Sequence, residues 1–140
     1  METIIGKEFP QKVIPLIDQS KTSIDTVVFD WRWYPQDPAS PVQLFNQSLV
    51  RAVRRGVQLR AIANNDEIVR TLQSVGAKAK RLTVPNLVHC KLMIIDNAVA
   101  IVGSHNYTQN AFQMNYELSL IIDDKLTVDR IKNFFNNIYG

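Results

Sequence analysis

Residues 88–108, VHCKLMIIDNAVAIVGSHNYT, place polar side chains within two apolar, strand-forming runs. Asp96 and Asn97 separate these runs and are typical of a tight hairpin turn. Because side chains two positions apart in a strand share a face, His89 and Lys91 point the same way. The stretch therefore predicts a β-hairpin that carries a polar site on one face.

The register of this hairpin depends on which residues form the turn. With Asp96 and Asn97 in the turn, His89 faces Ser104. With the turn one residue later, Lys91 faces Ser104 instead. Both registers place the same polar set on one face, because a slip of two residues preserves the alternation of side chains.

The polar face of the hairpin combines an imidazole, an ammonium, a hydroxyl and an amide. This combination is suited to phosphoryl transfer: His89 can attack phosphorus, while Lys91 and Asn106 neutralise and orient the non-bridging oxygens. Ser104 lies among them in the sequence, and Gly103 lets the backbone come close. We interpret the apolar strands as rigid supports for a site.

The rest of the chain alternates helical and strand patterns. Strands are predicted over residues 23–29, 57–63, 77–83 and 115–122. Helices are predicted around residues 9–17, from Ser40 to Gly56, from Asp66 to Gly76 and over residues 128–138. Pro15 predicts a kink or a late start in the first helix. We expect an α/β fold in one domain, residues 1–140, with a mixed, mostly parallel β-sheet flanked by helices on both faces.

The composition limits the class of protein. Hydrophobic residues make up 46% of the 140-residue chain and charged residues 21%, which is ordinary for a globular protein. No apolar run reaches the length of a membrane span, and the first residues lack the pattern of a signal peptide. We therefore expect a cytoplasmic protein without stable membrane association. The single cysteine excludes an internal disulfide, and the spacing of the histidines and carboxylates predicts no metal site and no cofactor.

Basic residues are concentrated in the middle of the chain. Residues 51–91 contain nine Lys or Arg against two acids, a net charge of +7, while the remainder carries −4. A block of this kind is typical of a surface that binds phosphates, although solvated helix faces give the same pattern. Lys78 and Lys80 share one strand face and favour contact with a phosphate backbone. An edge strand protected by lysines would look the same.

The segment WRWY, residues 31–34, follows the first long predicted strand. Alpha/beta proteins place ligands at this end of their strands. Trp31, Trp33 or Tyr34 would then stack on bases, with Arg32 on a phosphate. The alternative is an aromatic cluster in the core or in a subunit interface, and the sequence supports both readings equally.

The pattern H-x-K-x4-D-x6-G-S-x-N over residues 89–106 resembles the HKD motif of the phospholipase D superfamily. The similarity extends over most of the chain and includes a strand that ends in FDW, a helix that ends in VRRGVQLRAI and a glutamate in NYEL. The chain looks closest to the short bacterial endonuclease branch, whose members carry one HKD motif per chain. The resemblance therefore implies a phospholipase D-like domain.

The resemblance also implies a role for each motif residue. His89 would be the nucleophile that forms a phosphohistidine intermediate. Lys91 and Asn106 would bind the phosphate oxygens, with Ser104 beside them. Glu117 matches the family's glutamate after the motif, which accepts a hydrogen bond from the histidine and holds its tautomer. Members of this family need no metal.

Three further residues in this region have supporting assignments. Asp96 would brace the hairpin. His105 occupies the variable place of the motif, and we expect it at a loop or at the edge of the substrate site. Cys90 points away from the polar face and is expected to be a small buried hydrophobic residue.

Cleavage of a phosphodiester also requires a general acid opposite the nucleophile, and the family uses a second motif histidine for it. This chain has a single motif. We therefore predict a homodimer in which His89 of each copy reaches one shared phosphate. The two histidines would titrate as a coupled pair.

These inferences predict an enzyme: a metal-independent phosphodiesterase that cleaves DNA or RNA with little sequence preference. One alternative is a phospholipid-hydrolysing phospholipase D, against which the chain has no obvious interfacial helix and little room for an acyl-binding surface. A second alternative is a non-catalytic nucleic-acid-binding module. Such a module would have no need for His89 and Glu117 together.

Overall fold

The computed structural model describes residues 1–82 and 86–140. The strands are β1 (Glu2–Ile5), β2 (Ser23–Val27), β3 (Gln58–Ile62), β4 (Lys78–Lys80), β5 (Leu92–Ile95), β6 (Val99–Gly103) and β7 (Leu118–Ile122). The helices are α1 (Glu8–Asp18), α2 (Pro41–Arg54), α3 (Asp66–Ser74), α4 (Gln109–Gln113) and α5 (Lys125–Tyr139).

The strands form one sheet in the order β1-β7-β6-β5-β2-β3-β4. The predicted mixed sheet is confirmed, but the pairings are mostly antiparallel: β2-β3 and β3-β4 are parallel, and the other four are antiparallel. Parallel neighbours need a crossover helix, which α2 and α3 supply. The β5–β6 hairpin was predicted, but the β1–β7, β2–β5 and β6–β7 pairings are antiparallel as well, which is why the prediction of a mostly parallel sheet was wrong.

Helices cover both faces of the sheet, as predicted. On the first face α1, α2, α3 and α4 pack on a core that includes Met93 and Ile95. On the second face α5 packs through Val128 and Phe135 on a core that includes Ile94. Alternate residues of the central strands therefore enter different cores, which explains why these strands are apolar on both faces.

A buried charge cluster fixes α5 on the second face. Asp25 of β2 is 1% exposed. Its carboxylate accepts hydrogen bonds from Arg60 Nε at 2.7 Å and from Lys132 of α5. Removing either cation would leave a buried carboxylate only partly paired, which is costly.

Several helix and strand boundaries depart from the prediction. Ser40 caps α2 and Pro41 opens it, as predicted. The predicted late start of the first helix was wrong, because α1 begins at Glu8 and continues through Pro15 while it buries Phe9, Val13 and Ile17. The predicted strand over residues 77–83 ends at Lys80, and its last residue, Thr83, lies outside the described residues. Both β1 and α4 were missed, since each has at most five residues.

The hairpin of β5 and β6 has a different register from either prediction. Asp96 and Asn97 form the turn with φ of 55° each, but Ile95 pairs with Val99. Ala98 is therefore an additional loop residue, and it shifts the partner strand by one position.

Candidate active site

His89 and Lys91 lie just before β5, rather than within the strand as predicted. Lys91 Nζ lies 3.2 Å from His89 Nδ1 and donates a 2.8 Å hydrogen bond to the His89 carbonyl oxygen. The imidazole packs against Phe29, with 4.8 Å between ring centroids. His89 is exposed, so its ring is accessible to a substrate while Phe29 and Lys91 restrain it.

Ser104 and Glu117 form the second part of the site. Ser104 Oγ donates a 2.6 Å hydrogen bond to Glu117 Oε1 and accepts one of 3.0 Å from the Leu118 N–H. Asn115 Nδ2 donates to the other oxygen of Glu117 at 3.0 Å. Among the contacts of the described residues, the implied hydrogen bond between His89 and Glu117 is not present. In this arrangement Glu117 supports Ser104.

Asn106 is held by the segment that follows β2. Its Oδ1 accepts a 2.9 Å hydrogen bond from the backbone N–H of Asp30. The next residue, Tyr107, donates its own N–H to the Asp30 carbonyl at 3.0 Å. Because the amide oxygen of Asn106 is engaged, its two N–H groups are the part of the side chain that can bind a phosphate oxygen.

Gly103 is required where β6 meets β7. Its N–H donates to the Lys91 carbonyl at 3.3 Å, which joins the two halves of the motif. A Cβ atom at this position would overlap the side chain and backbone of Ser119 and the carbonyl oxygen of Leu118. The glycine therefore permits the close approach of β7.

Asp96 ties the hairpin turn to the start of β2. Its carboxylate accepts hydrogen bonds from the N–H groups of Lys21, Thr22 and Ser23 at 2.8 to 3.1 Å, and from the Thr22 hydroxyl at 3.0 Å. Burial would raise the pKa of Asp96, but these donors together lower it below its ordinary value. The turn is far from His89 along β5 and contributes to the fold rather than to the chemistry.

His105 lies on the loop between β6 and α4, as one predicted alternative had it, but its side chain is buried in the core and does not lie at the edge of the substrate site. The residue is 1% exposed, and its ring lies 4.6 Å from that of Phe9. Its Nδ1 is 2.7 Å from Ser119 Oγ and its Nε2 is 2.9 Å from the Gly6 carbonyl oxygen. Burial lowers the pKa of His105, against the opposing effect of the Gly6 carbonyl. The neutral ring therefore donates from Nε2 to Gly6 and accepts at Nδ1 from Ser119.

The WRWY segment divides between core and surface. Trp31 is 1% exposed and its Nε1 donates to Asn46 at 2.9 Å, so of the two readings base stacking is excluded for this residue. Trp33 is half-buried against the first core. Arg32 is exposed, with its Nε 2.8 Å from Asp30 Oδ1. The core alternative therefore holds for Trp31, while Arg32 remains on the surface beside the site.

Lys78 and Lys80 lie on β4, at the edge of the sheet. They share the face that carries α5, and Lys80 Nζ sits 4.0 Å from the ring centroid of Tyr139. Three strand spacings, about 14 Å, separate β4 from β5. The structure does not bring these lysines to His89, and their placement matches a protected edge strand.

Three contributors to the site were not predicted: Phe29, Asp30 and Asn115. The apolar run of β2 continues to Phe29, so the sequence contained a signal for the ring under His89. Cys90, expected to be buried, is half-buried against the second core, and burial raises the pKa of its thiol.

Two general properties of the described residues bear on the site. Across residues 1–82 and 86–140, no three His, Cys, Asp or Glu side chains cluster closely enough to hold a metal ion. Within the same ranges, every helix is too short or too polar to cross a membrane.

Comparison with known proteins places this arrangement in a family. Residues 13–139 match the family described as "Cardiolipin synthase, PLD-like domain". A mitochondrial cardiolipin hydrolase from Xenopus laevis is 32% identical over 102 residues, which cover 66% of this chain and 49% of that protein. The chain thus spans about half the length of the curated relatives it matches.

Two solved structures share the fold over nearly the whole chain. Nuc, a phospholipase D family member from Salmonella typhimurium, superposes with a TM-score of 0.81 at 20% identity, and the match covers 99% of this chain and 93% of Nuc. NucT from Helicobacter pylori gives a TM-score of 0.78 at 19% identity, with 98% and 93% covered. The chain belongs to the phospholipase D-like family.

Proposed function

We propose that this protein is a metal-independent phosphodiesterase that cleaves nucleic acid with little sequence preference, through an active site shared by two copies. The observation that carries the proposal is the exposed imidazole of His89 beside the half-buried Lys91, whose Nζ lies 3.2 Å from the ring. An accessible nucleophile beside a fixed cation is what attack on a phosphodiester requires.

In the proposed reaction, a ring nitrogen of His89 attacks phosphorus and the bond to the leaving oxygen breaks. His89 of the second copy gives its proton to that oxygen. Water then attacks the phosphohistidine, the same second histidine takes the proton from the water, and the N–P bond breaks to release the phosphate ester. Lys91 and the N–H groups of Asn106 stabilise the charge on the non-bridging oxygens.

The open position of the site favours a polymeric substrate. His89 lies on the surface, and the exposed guanidinium of Arg32 lies next to Asp30, which holds Asn106. A phosphate backbone can therefore pass across the site and meet positive charge on the way. The resemblance of the motif to the short bacterial endonuclease branch supports the same substrate class.

Hydrolysis of phospholipids is the second candidate, and one observation favours it. An apolar groove of about 540 Å³ adjoins His89 and is lined in part by Leu87, Val88, Phe134 and Ile138. The sequence had predicted little room for an acyl chain, and this groove contradicts that expectation. The relative named as a cardiolipin hydrolase supports the same candidate.

Parallel assays on DNA and on a phospholipid test the proposal. Single-stranded DNA and plasmid DNA are incubated in EDTA with the wild type, with His89→Ala and with Lys91→Ala, and a short-chain phosphatidylcholine is assayed in parallel. Lys21→Ala, a change at an exposed lysine away from the site, serves as the matched control. We expect DNA cleavage that survives chelation, disappears in His89→Ala, falls steeply in Lys91→Ala and is unchanged in Lys21→Ala.

Other outcomes select another candidate function or contradict the proposed nucleophile. Turnover of phosphatidylcholine without cleavage of DNA selects the lipid candidate. DNA binding by the wild type without turnover of either substrate selects the non-catalytic module. Cleavage that persists in His89→Ala contradicts the proposed nucleophile.

A further inference from the structure

Two consecutive residues shortly after β2 touch the candidate active site. The ring of Phe29 packs on the imidazole of His89, with 4.8 Å between centroids. The backbone N–H of Asp30 donates to Asn106 Oδ1 at 2.9 Å. The chain at Asp30 therefore runs along the edge of the site, and a group that its carboxylate holds lies at that edge.

The carboxylate of Asp30 holds the guanidinium of Arg32. Arg32 Nε donates to Asp30 Oδ1 at 2.8 Å, and Nη2 donates to Oδ2 at 3.4 Å. The backbone of Arg32 is fixed on both sides, because its N–H donates to the Tyr107 carbonyl at 3.0 Å and its own carbonyl accepts from Asn46 Nδ2 at 3.0 Å. The side chain is 61% exposed, so a charged group on a fixed base faces solvent beside the site.

The guanidinium of Arg32 has donors left for a second partner. It carries five N–H groups, and two of them are directed at Asp30. Among the hydrogen bonds of residues 1–82 and 86–140, the other three have no acceptor. The planar fork matches the oxygens of a phosphate. Because an ion pair this exposed contributes little to stability, a phosphate can replace the carboxylate at little cost.

Three arginines of the central basic block, residues 51–91, serve the fold instead. Arg51 and Arg60 pair with acids of neighbouring elements. Arg55 donates to backbone carbonyl oxygens near the end of α1. Arg32 lies outside this block in the sequence, yet it is an exposed cation attached directly to the site.

We infer that Arg32 binds the phosphate next to the scissile one, so that the site selects chains of nucleotides over isolated phosphodiesters. Asp30 holds the guanidinium in position until this second phosphate displaces the carboxylate. The inference rests on the proposed function and deepens it, since it names a feature of the substrate that the same site requires.

Binding without turnover tests the contact itself. In the His89→Ala background, which lacks the proposed nucleophile, the affinity for an oligothymidylate is measured by fluorescence anisotropy at several salt concentrations. Adding Arg32→Gln should weaken binding by about 10-fold or more, because a charged hydrogen-bonded contact is lost. It should also reduce the slope of log affinity against log salt concentration by about 0.7, the value for one phosphate of a single strand.

Turnover of two substrates tests the selection. Bis(p-nitrophenyl) phosphate has one phosphodiester and no neighbouring phosphate. In the otherwise unchanged enzyme, Arg32→Gln should lose about 10-fold or more in kcat/KM on the oligothymidylate, mainly through KM. The loss on bis(p-nitrophenyl) phosphate should be several-fold smaller. Equal losses on the two substrates would overturn the inference.

Asp30→Asn tests the exchange of partners. The variant keeps the backbone N–H that holds Asn106 and removes the carboxylate that competes with the phosphate. In the His89→Ala background it should bind the oligothymidylate more tightly, by up to about 5-fold, as expected for the loss of an exposed pair. Weaker binding would show that the carboxylate does not give way to the phosphate.

Arg54→Gln is the matched control. Arg54 is exposed at the end of α2, just before β3 begins, and so lies at the opposite end of the parallel strands from His89. This variant should keep the affinity and the salt slope of its His89→Ala parent. Thermal unfolding of each variant confirms that its fold is retained. An Arg32→Gln variant that binds like the Arg54→Gln control would overturn the inference.

Failure of the phosphate contact and failure of the proposed function give different results. A protein whose oligothymidylate affinity depends on Arg32, but which cleaves no phosphodiester, keeps the contact and removes the proposed cleavage. A wild type that cleaves nucleic acid, together with an Arg32→Gln variant of the same KM and salt slope, removes the contact alone.

Discussion

The Ser104 hydroxyl and the Glu117 carboxylate are joined by a hydrogen bond of 2.6 Å. The carboxylate lies on the loop between α4 and β7, and the hydroxyl lies at the end of β6, so this contact joins two separate elements. Glu117 can therefore affect the reaction in two ways, through Ser104 and through its negative charge. Substitutions can separate them.

Glu117→Gln should lower turnover by about 10² to 10³, because the amide removes the charge that would stabilise a protonated imidazole. The side-chain oxygen can still accept from Ser104, and only the exposed hydrogen bond from Asn115 is lost, so the free energy of unfolding should change little. Steady-state kinetics on DNA measure the effect, and Ser104→Ala is the control. Equal losses in the two variants would show that Glu117 acts only through Ser104, whereas a larger loss in Glu117→Gln shows an effect of its charge.

Gly103→Ala should destabilise the fold by about 1 to 3 kcal/mol, because a new methyl group would overlap Ser119 and the Leu118 carbonyl. Urea unfolding followed by circular dichroism measures the loss. Ser119→Ala also removes the hydrogen bond to His105, so the Ser119→Ala single variant is the reference for adding Gly103→Ala. Against that reference the added methyl group should cost less than in the wild type, but not nothing, because the backbone contact remains. An unchanged urea midpoint in Gly103→Ala would show that β7 can move away without cost.

His105→Phe should lower the free energy of unfolding by about 1 to 3 kcal/mol at neutral pH, because it leaves the buried Ser119 hydroxyl and the Gly6 carbonyl without a partner. The ring of Phe9 would still have an aromatic neighbour. Urea midpoints of the variant and the wild type measure the difference.

The pH dependence gives a second test of the same residue. The pKa of His105 is lowered in the folded state, so the unfolded chain binds a proton more readily, and stability falls as pH drops below the ordinary histidine value of about 6.5. His105→Phe should lose this part of the slope between about pH 7.5 and about pH 5.5. An identical slope in wild type and variant would contradict the assignment.

The motif could be recognised from sequence because its spacing is specific, while the roles of its residues stay predictions. The layers could be predicted because apolar residues alternate along the strands. For most strand pairs the sequence did not predict whether they run parallel or antiparallel, because the alternation of apolar residues along a strand is the same in both cases. The burial of His105 was missed because its partners, Gly6 and Ser119, are distant in the chain. The sequence did not decide whether Trp31 is buried or exposed for a similar reason, because its hydrogen-bond partner Asn46 lies on α2.

Asp96→Asn should lower the free energy of unfolding by about 1 to 3 kcal/mol at neutral pH, because the amide presents only one oxygen and no charge to the N–H groups of Lys21, Thr22 and Ser23. Asparagine tolerates the positive φ of 55° at this position, so the turn itself should persist.

Because the pKa of Asp96 is lowered in the folded state, the stability that its carboxylate contributes is complete above the ordinary aspartate pKa of about 3.9. That stability is lost as pH falls through the lower folded pKa. The urea midpoints of variant and wild type should therefore converge in acid, while Asp129→Asn, which removes only an exposed pair with Lys125, should change the midpoint little at any pH. A constant difference between Asp96→Asn and the wild type down to low pH would show that the charge of Asp96 does not brace the hairpin.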